Sequence, residues 1–104
     1  LYDSVYSCLI ANRAEQPKDA VVTIAGKHCE TDILIWNTPV GEVRDGDILA
    51  VQTTGAYNHA MASNYNRFRR PAVVLVADGK ADVIYARESW DDLIRQDRIP
   101  DRLR

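Results

Sequence analysis

Two short runs hold the residue types best suited to chemistry: Lys27-His28-Cys29-Glu30-Thr31 and Gly55-Ala56-Tyr57-Asn58. A thiol ordinarily titrates near about 8.5, so at neutral pH it is mostly protonated. Cys29 can therefore donate a proton as a general acid. If Lys27 or His28 lowers its pKa, it can attack as a thiolate instead; it reads equally as a small loop residue. Glu30 offers a carboxylate to a cationic group such as a substrate ammonium, or is a surface glutamate. In an extended segment neighbouring side chains point to opposite sides, so both reach one pocket only if the chain turns here. Glycine lets a backbone turn tightly or approach a ligand. A phenol presented at Tyr57, after Gly55-Ala56, can donate a hydrogen bond to a phosphate or carboxylate. The other reading is a partly buried tyrosine, and Tyr2 and Tyr65 share that ambiguity. With two cysteines and two histidines, none at zinc spacing, no structural metal site is expected.

The elements that must position these residues are mainly strands. Segments rich in Val, Ile, Leu and Tyr recur at 5–11, 20–25, 32–36, 47–53, 72–77 and 81–86, with turn signals between them. Asp78-Gly79 predicts a tight hairpin, because such a turn needs positive φ. Asp45-Gly46 opens another strand in the same way. Residues 58–66 lack period-2 alternation and read as a loop or short helical turn. Ser89 begins a C-terminal helix: its hydroxyl can cap the amide of Asp92, and Asp91 and Asp92 favour the positive helix start. Trp90, Leu93 and Ile94 form one apolar face at helical spacing. Pro100 lies beyond the helix, and residues 101–104 are expected to fray. The fold class expected is mainly β: a small, mostly antiparallel, Greek-key-like barrel or sandwich with a short C-terminal helix.

Length and composition fit this. A chain of 104 residues, 46% hydrophobic, suits one small globular domain spanning 1–104. A net charge of −2 leaves no electrostatic footprint for nucleic acid or an anionic membrane. Arg67-Phe68-Arg69-Arg70 reads as a solvated loop or interface edge rather than a phosphate track. No apolar run approaches the ~20 residues of a bilayer span, and no signal peptide is visible. Two cysteines argue against a disulfide scaffold. Cys8 is expected in a core strand, and reduced, cytoplasmic thiols are the expectation. The chain opens on Leu1-Tyr2-Asp3 without an initiator methionine, Met61 being its single methionine. It reads as a fragment of a longer protein.

Several linked motifs, in order, carry a resemblance. Val21-Val22-Thr23-Ile24-Ala25-Gly26-Lys27-His28-Cys29-Glu30 is followed by Gly55-Ala56-Tyr57-Asn58, by Met61-Ala62-Ser63-Asn64-Tyr65-Asn66 and by Arg70-Pro71-Ala72. Together they resemble the C-terminal domain of diaminopimelate decarboxylase, over nearly the whole chain. The resemblance implies a pyridoxal 5′-phosphate enzyme of the alanine-racemase-like type. Such an enzyme has an N-terminal β/α barrel, absent from this chain, that holds the cofactor on a lysine. It acts as a homodimer in which the β domain of one subunit completes the site of the other. It implies conversion of meso-diaminopimelate to L-lysine and CO2, and an inactive fragment when this domain stands alone.

Carried over by position, Cys29 matches the thiol that acts at the reacting carbon after decarboxylation. Glu30 matches the carboxylate that recognises the distal end of the substrate. Tyr57 matches the tyrosine that contacts cofactor phosphate and substrate, and Tyr2 a tyrosine near the substrate. The family usually reads Cys-Glu-Ser-Gly-Asp where this chain reads Cys29-Glu30-Thr31-Asp32, one residue shorter and without the glycine. Two rival readings stand beside this one. A related decarboxylase of ornithine, arginine or another basic amino acid would, in ornithine-type relatives, carry aspartate in place of Glu30. A non-catalytic β module that binds a partner would leave Cys29 dispensable.

Overall fold

The structure is a computed structural model and describes residues 3–30 and 32–104. Tyr2 lies outside the described residues. The chain forms two compact units, Leu1–Ala56 and Tyr57–Arg104.

The first unit holds four strands: β1 (Cys8–Ile10), β2 (Ala20–Ala25), β3 (Ile33–Val40) and β4 (Leu49–Val51). They pair antiparallel as β2 with β3 and β1 with β4. On β2 burial follows the pleat: Ala20, Val22 and Ile24 turn inward while Val21, Thr23 and Ala25 are exposed. On β3 the phase slips. Ile33 and Ile35 are on the inward side, then Thr38 and Val40. The cause is an extra residue: Val22 pairs with Thr38 and Ile24 with Ile35, so two steps on β2 oppose three on β3. Asn37 absorbs the bulge at φ 48°, a left-handed conformation that asparagine tolerates better than most residues.

This bulge explains a difference from the sequence reading. The apolar segment expected at 32–36 ends at Trp36; the strand instead continues to Val40, with Pro39 exposed on it. The inward side chains Cys8, Ile24, Ile35 and Val40 form the buried core, with Tyr6, Val22 and Val51 packed against it. Cys8 is 1% exposed, as expected for a core thiol.

β1 and β4 are shorter than the expected 5–11 and 47–53. Ladder-like bonds still extend them at both ends, from Gln52 N–H to Ser7 C=O and from Ala11 N–H to Ile48 C=O. Beyond that, polar side chains take over. Asn12 Oδ1 accepts from Ile48 N–H. Asp47 pairs with Arg13 and accepts from Asn12 Nδ2 and Arg44 N–H. Arg13 Nη2 also donates to Glu42 C=O at 2.8 Å. The Asp47 side chain is only 7% exposed, and the Arg13 guanidinium holds its carboxyl down at about 2.

In the second unit β5 (Val73–Ala77) and β6 (Lys80–Tyr85) form the expected hairpin. Asp78 and Gly79 both have positive φ, 51° and 71°, the geometry of a tight turn matched to strand twist. Ser89 caps α2 (Trp90–Ile94): its hydroxyl accepts from Asp92 N–H, and the Asp92 carboxylate accepts from Ser89 N–H. The expected apolar face of α2 is not covered, since Trp90 and Ile94 are exposed. Asp101–Leu103 form a 3₁₀ turn. A short helical turn, α1 (Gly55–Asn58), lies where the two units join in sequence. The mainly β class is as expected. Among the described residues the strands form three two-stranded ladders.

Val40 loses two methyl groups from a fully buried site on truncation. Val40→Ala should lower stability by about 2 kcal/mol, from transfer and cavity terms together. Val21→Ala, on the exposed face of the same ladder, should cost less than about 1 kcal/mol. Urea unfolding of the folded chain checks both, and equal midpoint shifts would contradict this core.

Candidate active-site loop

The loop joining β2 to β3 carries Cys29 and Glu30. It turns, as joint use of both side chains requires. Gly26 N–H bonds to the Asp32 carbonyl at 2.7 Å, so the segment between them folds back on itself. Cys29 and Glu30 are both exposed along it, and Cys29 is a thiol outside any disulfide.

Asp32 closes this loop from its C-terminal end. Its Oδ2 accepts from His28 N–H at 2.9 Å and lies 2.8 Å from His28 Nδ1. A carboxylate only accepts, so Nδ1 carries the proton of that contact. The two bonds from His28, backbone first and ring second, hold the Asp32 carboxyl below the usual aspartate range. Gly26 leaves room for it: a Cβ there would fall 2.6 Å from Asp32 Cγ and closer still to Oδ2. The sequence reading had put Asp32 at the start of a strand. β3 begins one residue later, at Ile33.

Tyr57 belongs to the second unit, on α1, with its side chain 72% exposed. The glycine-led turn expected there is helical, and no atom crowds Gly55. An exposed phenol on a short helical turn is suited to a hydrogen bond with an anionic group such as a phosphate. Tyr65, the other ambiguous tyrosine, begins a 3₁₀ turn and is 46% exposed. Among the described residues no group of three or more His, Cys, Asp or Glu could hold a metal ion. Among them, too, no helix is long and apolar enough to cross a membrane.

The basic run 67–70 is tied down inside the second unit. Arg67 pairs with Asp97 at 3.0 Å, and Arg69 lies over the Trp90 ring at 4.5 Å. Arg70 grips Glu88 through Nε at 2.7 Å, Nη2 at 2.6 Å and its own N–H at 2.7 Å. Asn64 Nδ2 donates to the same carboxylate at 2.5 Å and to Phe68 C=O at 3.1 Å. Glu88 thus fastens the 64–70 segment to the chain leaving β6. Asn64, Arg70 and Glu88 also line a cleft of about 340 Å³ with Tyr85, Asp92 and Arg95. Sequence reading missed this pairing, since Arg70 and Glu88 are 18 positions apart and only the hairpin between them brings them together.

In sequence and in fold the chain is similar to part of longer proteins. The similarity is to diaminopimelate decarboxylases, over nearly all of this chain. The enzyme of Synechocystis sp. is 52% identical over 103 residues, which are 98% of this chain and 22% of that protein. The crystal structure of the M. jannaschii enzyme superposes with a TM-score of 0.87 at 34% identity, covering 100% of this chain and 24% of that one. Its co-complex with L-lysine gives 0.86 at 33%, covering 99% and 24%. The chain thus spans about a fifth to a quarter of the length of the relatives it matches. No protein-family model matches it.

The Glu88 carboxyl, ordinarily near 4.5, is lowered to about 2, by the Arg70 side chain first and its backbone N–H second. A carboxylate with a depressed folded pKa contributes stability that is complete above its unfolded pKa and is lost as pH falls through the folded one. Glu88→Gln should therefore flatten the acid-side loss of stability between about pH 4.5 and 2. Melting curves across that window check this; superimposable acid limbs for variant and wild type would refute it.

Proposed function

We propose that this chain is the C-terminal β domain of a pyridoxal-phosphate-dependent diaminopimelate decarboxylase. The parent enzyme converts meso-diaminopimelate to L-lysine and CO2, with a β/α barrel and a second subunit completing the site. The observation that carries this reading is the 52% identity across 98% of the chain, joined to the exposed Cys29-Glu30 loop on a matching fold. The L-lysine co-complex of the M. jannaschii relative supports a diamine product. Apolar side chains exposed along β5 and β6, among them Val74, Leu75, Val76, Val83 and Ile84, accord with a surface that further protein covers.

Loss of CO2 from an amino acid leaves negative charge on the α-carbon. Pyridoxal phosphate, when bound, supplies the electron sink for that charge. The residues of this chain do the rest of their share by position. The Cys29 Sγ–H delivers a proton to the reacting carbon, a general-acid role. The Glu30 carboxylate takes the distal ammonium in a charge-assisted hydrogen bond and so selects a substrate with a second amino group. The Tyr57 phenol donates to the cofactor phosphate and contacts the substrate. Tyr2 is assigned to the substrate's surroundings by the family resemblance alone.

The chain by itself should release no CO2 from meso-diaminopimelate, with or without added pyridoxal phosphate. In the full-length enzyme, Cys29→Ala should lower kcat by about 10²–10⁴-fold, the usual worth of a positioned general acid. Glu30→Ala should chiefly raise KM for meso-diaminopimelate. A CO2-release assay with meso-diaminopimelate, L-ornithine and L-arginine tests the set. Turnover of ornithine or arginine in preference to diaminopimelate would overturn the substrate assignment. A fully active Cys29→Ala would overturn the role of the thiol.

A further inference from the structure

We propose that Asp32 is a positioning residue for the Cys29–Glu30 loop, acting through His28. The inference rests on the reading of Cys29 and Glu30 as the residues that serve the reaction. Its ground is geometric. The Asp32 carboxylate meets both the N–H and the Nδ1 of His28. His28 immediately precedes Cys29, so this grip fixes the direction in which the chain enters Cys29. The backbone bond from Gly26 N–H to Asp32 C=O closes the loop at its base. The space above Gly26, where any Cβ would collide with the carboxylate, makes the seat specific for this pair. Glu30 is held between the two gripped positions, two residues from each.

The bland alternative is an ordinary surface pair that merely closes a turn. The two roles separate in what they cost. The His28 and Asp32 side chains are 32% and 23% exposed, and pairs in contact with water contribute little to global stability. Placement of a proton donor is far more demanding, since a displacement of about 1 Å can cost about 10²-fold in rate. A positioning role therefore predicts a large kinetic effect with little thermodynamic one.

The test uses the full-length enzyme loaded with pyridoxal phosphate. Asp32→Ala should lower kcat by about 10- to 100-fold while KM changes only a few-fold. Melting temperature and cofactor absorbance should match wild type. Asp32→Asn, which keeps an acceptor oxygen, should recover much of the rate. Gly26→Ala keeps both Asp32 and Cys29 but evicts the carboxylate, and should reproduce the Asp32→Ala defect. His28→Ala should share it, and the Asp32→Ala/His28→Ala double variant should be no worse than either single one. Additive losses in that cycle would overturn the route through His28. An Asp32→Ala enzyme within threefold of wild type, beside an impaired Cys29→Ala, would overturn the clamp and leave the functional reading intact. A fully active Cys29→Ala would sink both. A rate loss that tracks lost cofactor or lost fold across Asp32→Ala and Gly26→Ala would assign Asp32 a structural role only.

Discussion

Of the two register shifts in the β2–β3 ladder, the one at Asn37 governs the first unit. With strict pairing, the pleat that buries Ile35 would turn Thr38 and Val40 to solvent. One bulge at Asn37 reverses the phase, so Ile24, Ile35 and Val40 enter the same core as Cys8. The ladder that carries this core ends in the loop of Cys29 and Glu30. The loop is thereby mounted on strands that place Ile24, Ile35 and Val40 in the core, and the apolar packing below keeps its ends in place.

Charge completes what apolar packing leaves open. Three irregular segments are each fastened by one carboxylate that collects several donors. Asp47 gathers Arg13, Asn12 and the Arg44 amide. Glu88 gathers the Arg70 side chain and amide with Asn64. Asp32 gathers two groups of His28. An ionised carboxylate is acceptor-only and takes several hydrogen bonds at once, so it suits a hub where backbone donors have lost their ladder partners. Such hubs are the polar counterpart of a small core, and a chain of this length has little apolar volume to spare for its loops.

The exposed apolar surface is the other side of that economy. The β5–β6 hairpin shows Val, Leu and Ile on both faces, and α2 shows Trp90 and Ile94. A hairpin with neither face covered gains little from burial within its own unit. The chain is similar to part of proteins four to five times longer, and the function proposed above would give these side chains a use as buried contacts.

Local sequence was enough for every feature set by neighbours. The Asp78-Gly79 turn, the Ser89 cap and the strand at 20–25 were all legible, because backbone sterics, capping and strand propensity act over a few residues. The chemistry of Cys29 and Glu30 was legible as residue types, and the linked motifs gave their family resemblance. Tertiary structure decided what depends on distant partners. The strand through Asn37 and Pro39 reads as an ending until pairing with β2 requires a bulge. Asp32 reads as the start of a strand until its carboxylate meets His28 over Gly26. Arg70 and Glu88 read as scattered surface charges until the hairpin brings them together. Pairing and packing are long-range, so no local pattern records them; the composition determined what these side chains can do, and the fold decided where they do it.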